Sequence, residues 1–134
     1  MSIKRLTKQD IQSASGILNP IGHVVLAFKD DAAAAAAAAA LQSDGFVEQD
    51  ILRYPAAEAV LRLRERVRTA GAASGFGHEI TLMRRYLALA EEGAAWLIVY
   101  APNDAAAQAI TKVATGFAAL CAVRYHRLAS EDLI

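Results

Sequence analysis

Two stretches of this 134-residue chain follow one pattern. Residues 23–55 read HVVLAFKDDAAAAAAAAALQSDGFVEQDILRYP, and residues 95–127 read AWLIVYAPNDAAAQAITKVATGFAALCAVRYHR. Each opens on five apolar residues, 24–28 and 96–100, and each then sets an aspartate before alanine, Asp31-Ala32 and Asp104-Ala105. Each reaches Gly-Phe, at Gly45-Phe46 and Gly116-Phe117, and closes an apolar stretch on Arg-Tyr, at Arg53-Tyr54 and Arg124-Tyr125. Ordered agreement across a small gap points to two copies of one supersecondary unit.

The unit reads as strand–helix–strand. Short runs of Val, Ile, Leu and aromatics, stopped by KDD and PND, are strand signals. Asp30 or Asp31, and Asn103 or Asp104, are N-cap residues whose side chains satisfy free N–H groups in a first helical turn. Gly45 and Gly116 fall where a helix ends in the left-handed conformation. Between the caps lie nine consecutive alanines, 32–40, of the highest helix propensity. That segment is therefore a helix of about fourteen residues. It is also thin, so its backbone lies close to the sheet. Each buried methyl contributes roughly 0.8 kcal/mol, which leaves most of the packing to the strands beneath.

Strands 24–28 and 96–100 are apolar on both faces and belong at the centre of a sheet covered on both sides. ILRY and CAVRYHR carry Arg and His, as edge strands do. The fold expected is α+β and ferredoxin-like, a duplicated βαβ with a four-stranded antiparallel sheet. The 55% apolar and 21% charged content excludes a disordered chain. Fourteen basic and fourteen acidic side chains cancel, so charge gives no support to nucleic acid or anionic lipid as a partner. The longest apolar run, 32–41, is about half a membrane span. With no secretory h-region and a single cysteine, Cys121, the expectation is a cytoplasmic protein, with no membrane and no nucleic-acid partner.

Residues 56–93 form an insertion between the copies. Pro55 suits a helix start, and Ala56, Val60, Leu63, Val67 and Ala70 recur at helical spacing before TAGAASGFG breaks the pattern. A second helix, 77–92, has one stripe of Phe76, Ile80, Met83, Leu87 and Ala90, and another of Leu82, Tyr86 and Leu89. So wide an apolar surface must meet two things: the open sheet face and, as a second expectation, another subunit. A homodimer follows from that. Residues 1–22 read as an arm with a capping-box-like TKQD and a short helix, and 128–134 as a tail. All of 1–134 is one domain.

Candidate chemistry centres on ASGFGHEITLMRRY, 73–86. Ser74, Gly75 and Gly77 precede a helix N-terminus that favours an anion, His78 and Glu79 lie in its first turn, and Arg84 and Arg85 follow. A small anionic ligand is one expectation there. The alternative is an enzyme with a pocket between sheet and insertion, using His23, Tyr100, Tyr125 or His126 as acid–base groups. No histidine has a second ligand at metal spacing, so no metal and no cofactor are expected. Cys121 reads as a small core residue. RLRERVR reads as a solvated helix face, since the aromatic sheet motif of RNA-binding folds is missing.

VVLAFKDDAAAAAAAAALQSDGFVEQDI resembles the opening of the bacterial heat-induced or general-stress-protein domain, with its Asp-xx-Ala helix and Gly-Phe-x-x-x-Asp-Ile turn. The chain is also similar to small uncharacterised proteobacterial proteins sharing GFGxEITLMRRYL, here at 75–87. The resemblance implies a stress-associated or regulatory module that binds a ligand or a protein partner. It implies no catalytic residues.

Overall fold

The computed structural model describes residues 3–13, 18–72, 77–127 and 129–134, with side chains described outside 70–72 and 77–79. Among the described residues five α-helices pack around one open sheet. In chain order they are α1 (Lys8–Ser13), β1 (His23–Phe28), α2 (Asp31–Ser43), β2 (Ile51–Tyr54), α3 (Ala56–Ala72), α4 (Gly77–Glu91), β3 (Ala95–Tyr100), α5 (Asp104–Gly116), β4 (Cys121–Tyr125) and β5 (Ser130–Asp132). The strand order is β2-β3-β1-β4-β5, and every neighbouring pair is antiparallel. The chain is an α+β protein.

Local chemistry accounts for the helix starts. Asp30 caps α2 by accepting the Ala33 amide at 2.8 Å, and Asn103 caps α5 by accepting the Ala106 amide at 2.9 Å. Thr7 and Asp10 close a reciprocal capping box at the head of α1, at 2.9 and 3.1 Å. The Asp31 carboxylate reaches across to accept the first amide of α3, Ala56 N–H, at 2.8 Å.

Strand alternation separates the interior into two cores. On one face Val24, Leu26, Phe28, Leu97 and Val99 pack under α2 and α5. Ala34, Ala37 and Ala38 of the alanine run are buried there, whereas Ala32, Ala36 and Ala39 are exposed, so the thin helix presents one methyl stripe to the sheet. On the other face Val25, Ala27, Trp96, Ile98, Cys121 and Val123 pack under α3 and α4.

Three expectations are corrected. The sheet has five strands, because the tail folds back as β5, with Arg124 opposite Glu131. β4 is consequently interior to the sheet, and β2 keeps an open edge. Gly116 is the last helical residue of α5, and the left-handed position is taken two residues later by Ala118, at φ 55°. Of the apolar stripes on α4, Leu82 and Tyr86 meet the sheet, while Ile80 and Met83 meet Leu18 and Val67.

Candidate functional site

Between the second sheet face, α3 and α1 lies a cavity of about 400 Å³. Val25, Trp96 and Ile98 of the sheet form its floor, together with Tyr54 at the end of β2. One wall comes from α3 through Ala59, Leu63, Arg66 and Thr69, and the opposite wall from the arm through Lys8, Ile11 and Leu18. Tyr86 of α4 closes the far side. The lining is mostly hydrocarbon and aromatic ring, with cations at one end. Ligand pockets commonly have this composition.

Two polar groups of the floor stand out. Tyr54 and Trp96 are directly paired across the β2–β3 ladder, 7% and 4% exposed. Neither the Tyr54 hydroxyl nor the Trp96 indole N–H has a hydrogen-bond partner, although both atoms are buried. An orphaned buried donor costs roughly 1–3 kcal/mol, so such groups are rare without a role. Burial, with Glu58 adding to it, pushes the Tyr54 phenol up to about 12, which keeps it protonated. The Trp96 ring meets Tyr86 edge-on at 5.0 Å. Tyr86 in turn shares a buried 2.8 Å hydrogen bond with the Tyr125 hydroxyl.

The charged end is ordered by one carboxylate. Glu58 accepts from Lys8 at 3.1 Å and from Arg62 at 3.0 Å. Partial burial pushes the Glu58 carboxyl up, but the hydrogen bonds from Arg62 and Lys8 outweigh it and hold the group below its ordinary range. The Lys8 ammonium also sits over the Tyr54 ring, 4.3 Å from its centroid. Arg66 is half-buried and donates to the Ile11 carbonyl, tying α3 to the arm.

The structure scatters the residues expected to carry chemistry. Ser74 and Gly75 lie outside the described residues, and Gly77, His78 and Glu79 are described only as backbone in the first turn of α4. Arg84 and Arg85 are exposed and do not line the cavity. His23 is buried, and both ring nitrogens are engaged: Nε2 accepts the Leu6 amide at 3.2 Å, so Nδ1 carries the proton and donates to the Ile21 carbonyl at 3.0 Å. Tyr100 stacks obliquely on His23 at 5.2 Å and donates to the Ile3 carbonyl. His126 is exposed and bonds Glu131 at 2.9 Å. Burial pushes Tyr125 up to about 12 and Cys121 up to about 11, so neither is primed to ionise. Of the four proposed acid–base groups, His23 and Tyr100 face each other in the β1–β3 ladder with their rings in contact, whereas Tyr125 and His126 have separate partners. Among the described residues no three metal-ligating side chains converge, and no helix is long and apolar enough to cross a membrane.

Sequence reasoning missed Trp96 and Tyr54 as site residues, and Lys8, Arg62 and Arg66 with them. One signal was present: the twin Arg-Tyr pairs ending each copy. Both tyrosines point into the same core, yet only Tyr125 finds a partner. Comparison with known protein families, with curated proteins and with solved structures gives no match to this chain.

Proposed function

We propose that this chain is a ferredoxin-like ligand-binding module, and that the cavity between sheet and helical insertion takes a small, largely apolar molecule bearing a hydrogen-bond acceptor. The observation carrying it is the cavity itself, of ligand size and lined by hydrocarbon and aromatic rings, with the donors Lys8 and Arg62 among its lining residues. Support for the ferredoxin-like duplication comes from the inner order β2-β3-β1-β4, the units β1-α2-β2 and β3-α5-β4, and the matched caps Asp30 and Asn103. On this view β5 and the α3–α4 pair are additions to a duplicated core. A stress-associated or regulatory role fits a binding module of this kind. The homodimer stays part of this proposal, and the mass in solution by light scattering at micromolar concentration tests it.

The test uses Trp96, the single tryptophan, as a built-in reporter. Anilinonaphthalene sulfonate added to the native protein should quench Trp96 emission and gain fluorescence as it binds. Ala59 lines the cavity and is 3% exposed, so Ala59→Met should fill the space with an adaptable side chain and abolish dye binding while the protein stays folded. Dye binding that persists unchanged in a folded Ala59→Met protein would overturn the proposal.

A further inference from the structure

We infer that the ligand is an amphipathic organic anion, an oxyanion head on a short hydrocarbon or single-ring body. This rests on the cavity being the ligand site proposed above, and it adds the chemical class.

Two observations converge on that class. The first is charge. Lys8 and Arg62 share the single carboxylate of Glu58. Glu65, the one carboxylate among the described lining residues, is already paired with Arg68 at 2.6 Å. A positive excess remains beside the cavity, and a negative head would gain charge-assisted hydrogen bonds from it.

The second is the wall. Ile11, Leu18, Leu63, Val25 and Ile98 present hydrocarbon, which an inorganic anion would leave against water. The volume sits near the lower end of the ~300–1,000 Å³ range of small-molecule sites, which suits a medium-chain or one-ring acid and excludes a bulky lipid.

Three ten-carbon probes differing only in the head separate the alternatives: decanoate, decan-1-ol and decylamine, each below its micellar concentration. The full-length chain labelled with nitrogen-15 has a single indole N–H resonance, from Trp96. Decanoate should shift it saturably and bind about tenfold tighter than decanol, the worth of about one extra charge-assisted bond, with decylamine weakest. In the Lys8→Gln/Arg62→Gln double variant, decanoate should fall to the affinity of decanol while decanol binding stays the same, which shows that the fold and cavity survive. If decanol or decylamine equals decanoate in the wild type, the anion preference is overturned and the cavity site stands. If none of the three moves the indole resonance, the site and the preference fall together.

Discussion

Tyr54 and Trp96 stand directly opposite each other in the β2–β3 ladder, and each holds a buried donor with nothing to receive it. Seventy-one positions further along, Tyr125 ends β4 as Tyr54 ends β2, faces the same core, and meets the hydroxyl of Tyr86 at 2.8 Å. Two like tyrosines thus differ in one respect, the presence of a partner. That contrast makes their removal informative.

Tyr54→Phe should leave stability unchanged or raise it by up to ~1 kcal/mol, because it deletes an unsatisfied hydroxyl. Tyr125→Phe should lower it by about 1 kcal/mol, because Tyr86 loses its buried partner. The urea midpoint of Tyr125→Phe should fall while that of Tyr54→Phe holds or rises. A loss of stability in Tyr54→Phe as large as in Tyr125→Phe would show that the Tyr54 hydroxyl is bonded after all.

Stability should fall with pH through the titration of His23. Burial lowers its pKa from the ordinary 6.5, against the opposing pull of the Ile21 carbonyl and Asp50. Below 6.5 the unfolded chain binds the proton more readily than the folded one. The contribution is therefore complete above that value and is lost as pH falls toward the lower folded-state value. Protonation also turns Nε2 from acceptor to donor against the Leu6 amide, so the arm should loosen first. The protection factor of the Leu6 amide should fall as pH drops below 6.5, and His23→Gln should flatten the unfolding profile over the same range. An equal slope in His23→Gln would assign the effect elsewhere.

The alanine stripe is expected to be intolerant on one side only. Ala37 is fully buried against the sheet, so Ala37→Leu should cost ~1–3 kcal/mol through overpacking. Ala36 is exposed, and Ala36→Leu should change stability by less than about 0.5 kcal/mol. Equal effects at both positions, measured by chemical denaturation, would contradict the close seating of α2.

Backbone conformation sets three further signs. Ala118 occupies the left-handed region at φ 55°, so Ala118→Gly should stabilise by about 1 kcal/mol. Gly116 is helical with open space around its α-carbon, so Gly116→Ala should gain roughly 0.5–1 kcal/mol. Gly45, at φ +105°, should tolerate alanine poorly. Thermal midpoints of the three variants check the order.

Cys121 is buried, and its thiol is pushed up to about 11 by that burial. Ellman's reagent at pH 8 should leave the native protein almost unlabelled and react at once after denaturation. Rapid native labelling would require that the sheet face open under α4.

Much of the fold was legible because it depends on local chemistry. Asp30, Asn103, Thr7 and Asp10 announce helix starts through bonds made within three residues, and the doubly apolar runs 24–28 and 96–100 announce central strands. β5 escaped notice because Ser130–Asp132 has no apolar alternation and exists through its ladder with β4. The cap after α5 was misplaced because the chain puts alanine, not glycine, in the left-handed position. The cavity was illegible for a different reason. Whether Tyr54 or Tyr125 has a partner depends on which helix crosses above it, and register and crossing are long-range facts that periodicity does not encode.

The alanine layer has a mechanical consequence. A methyl side chain has no rotamers to exchange, so Ala34, Ala37 and Ala38 give the α2 side of the sheet almost no means of yielding. Were the proposed ligand to bind, the adjustment would fall on the long side chains of α3, α4 and the arm. The asymmetry sets a stiff backing plate against a half that can give.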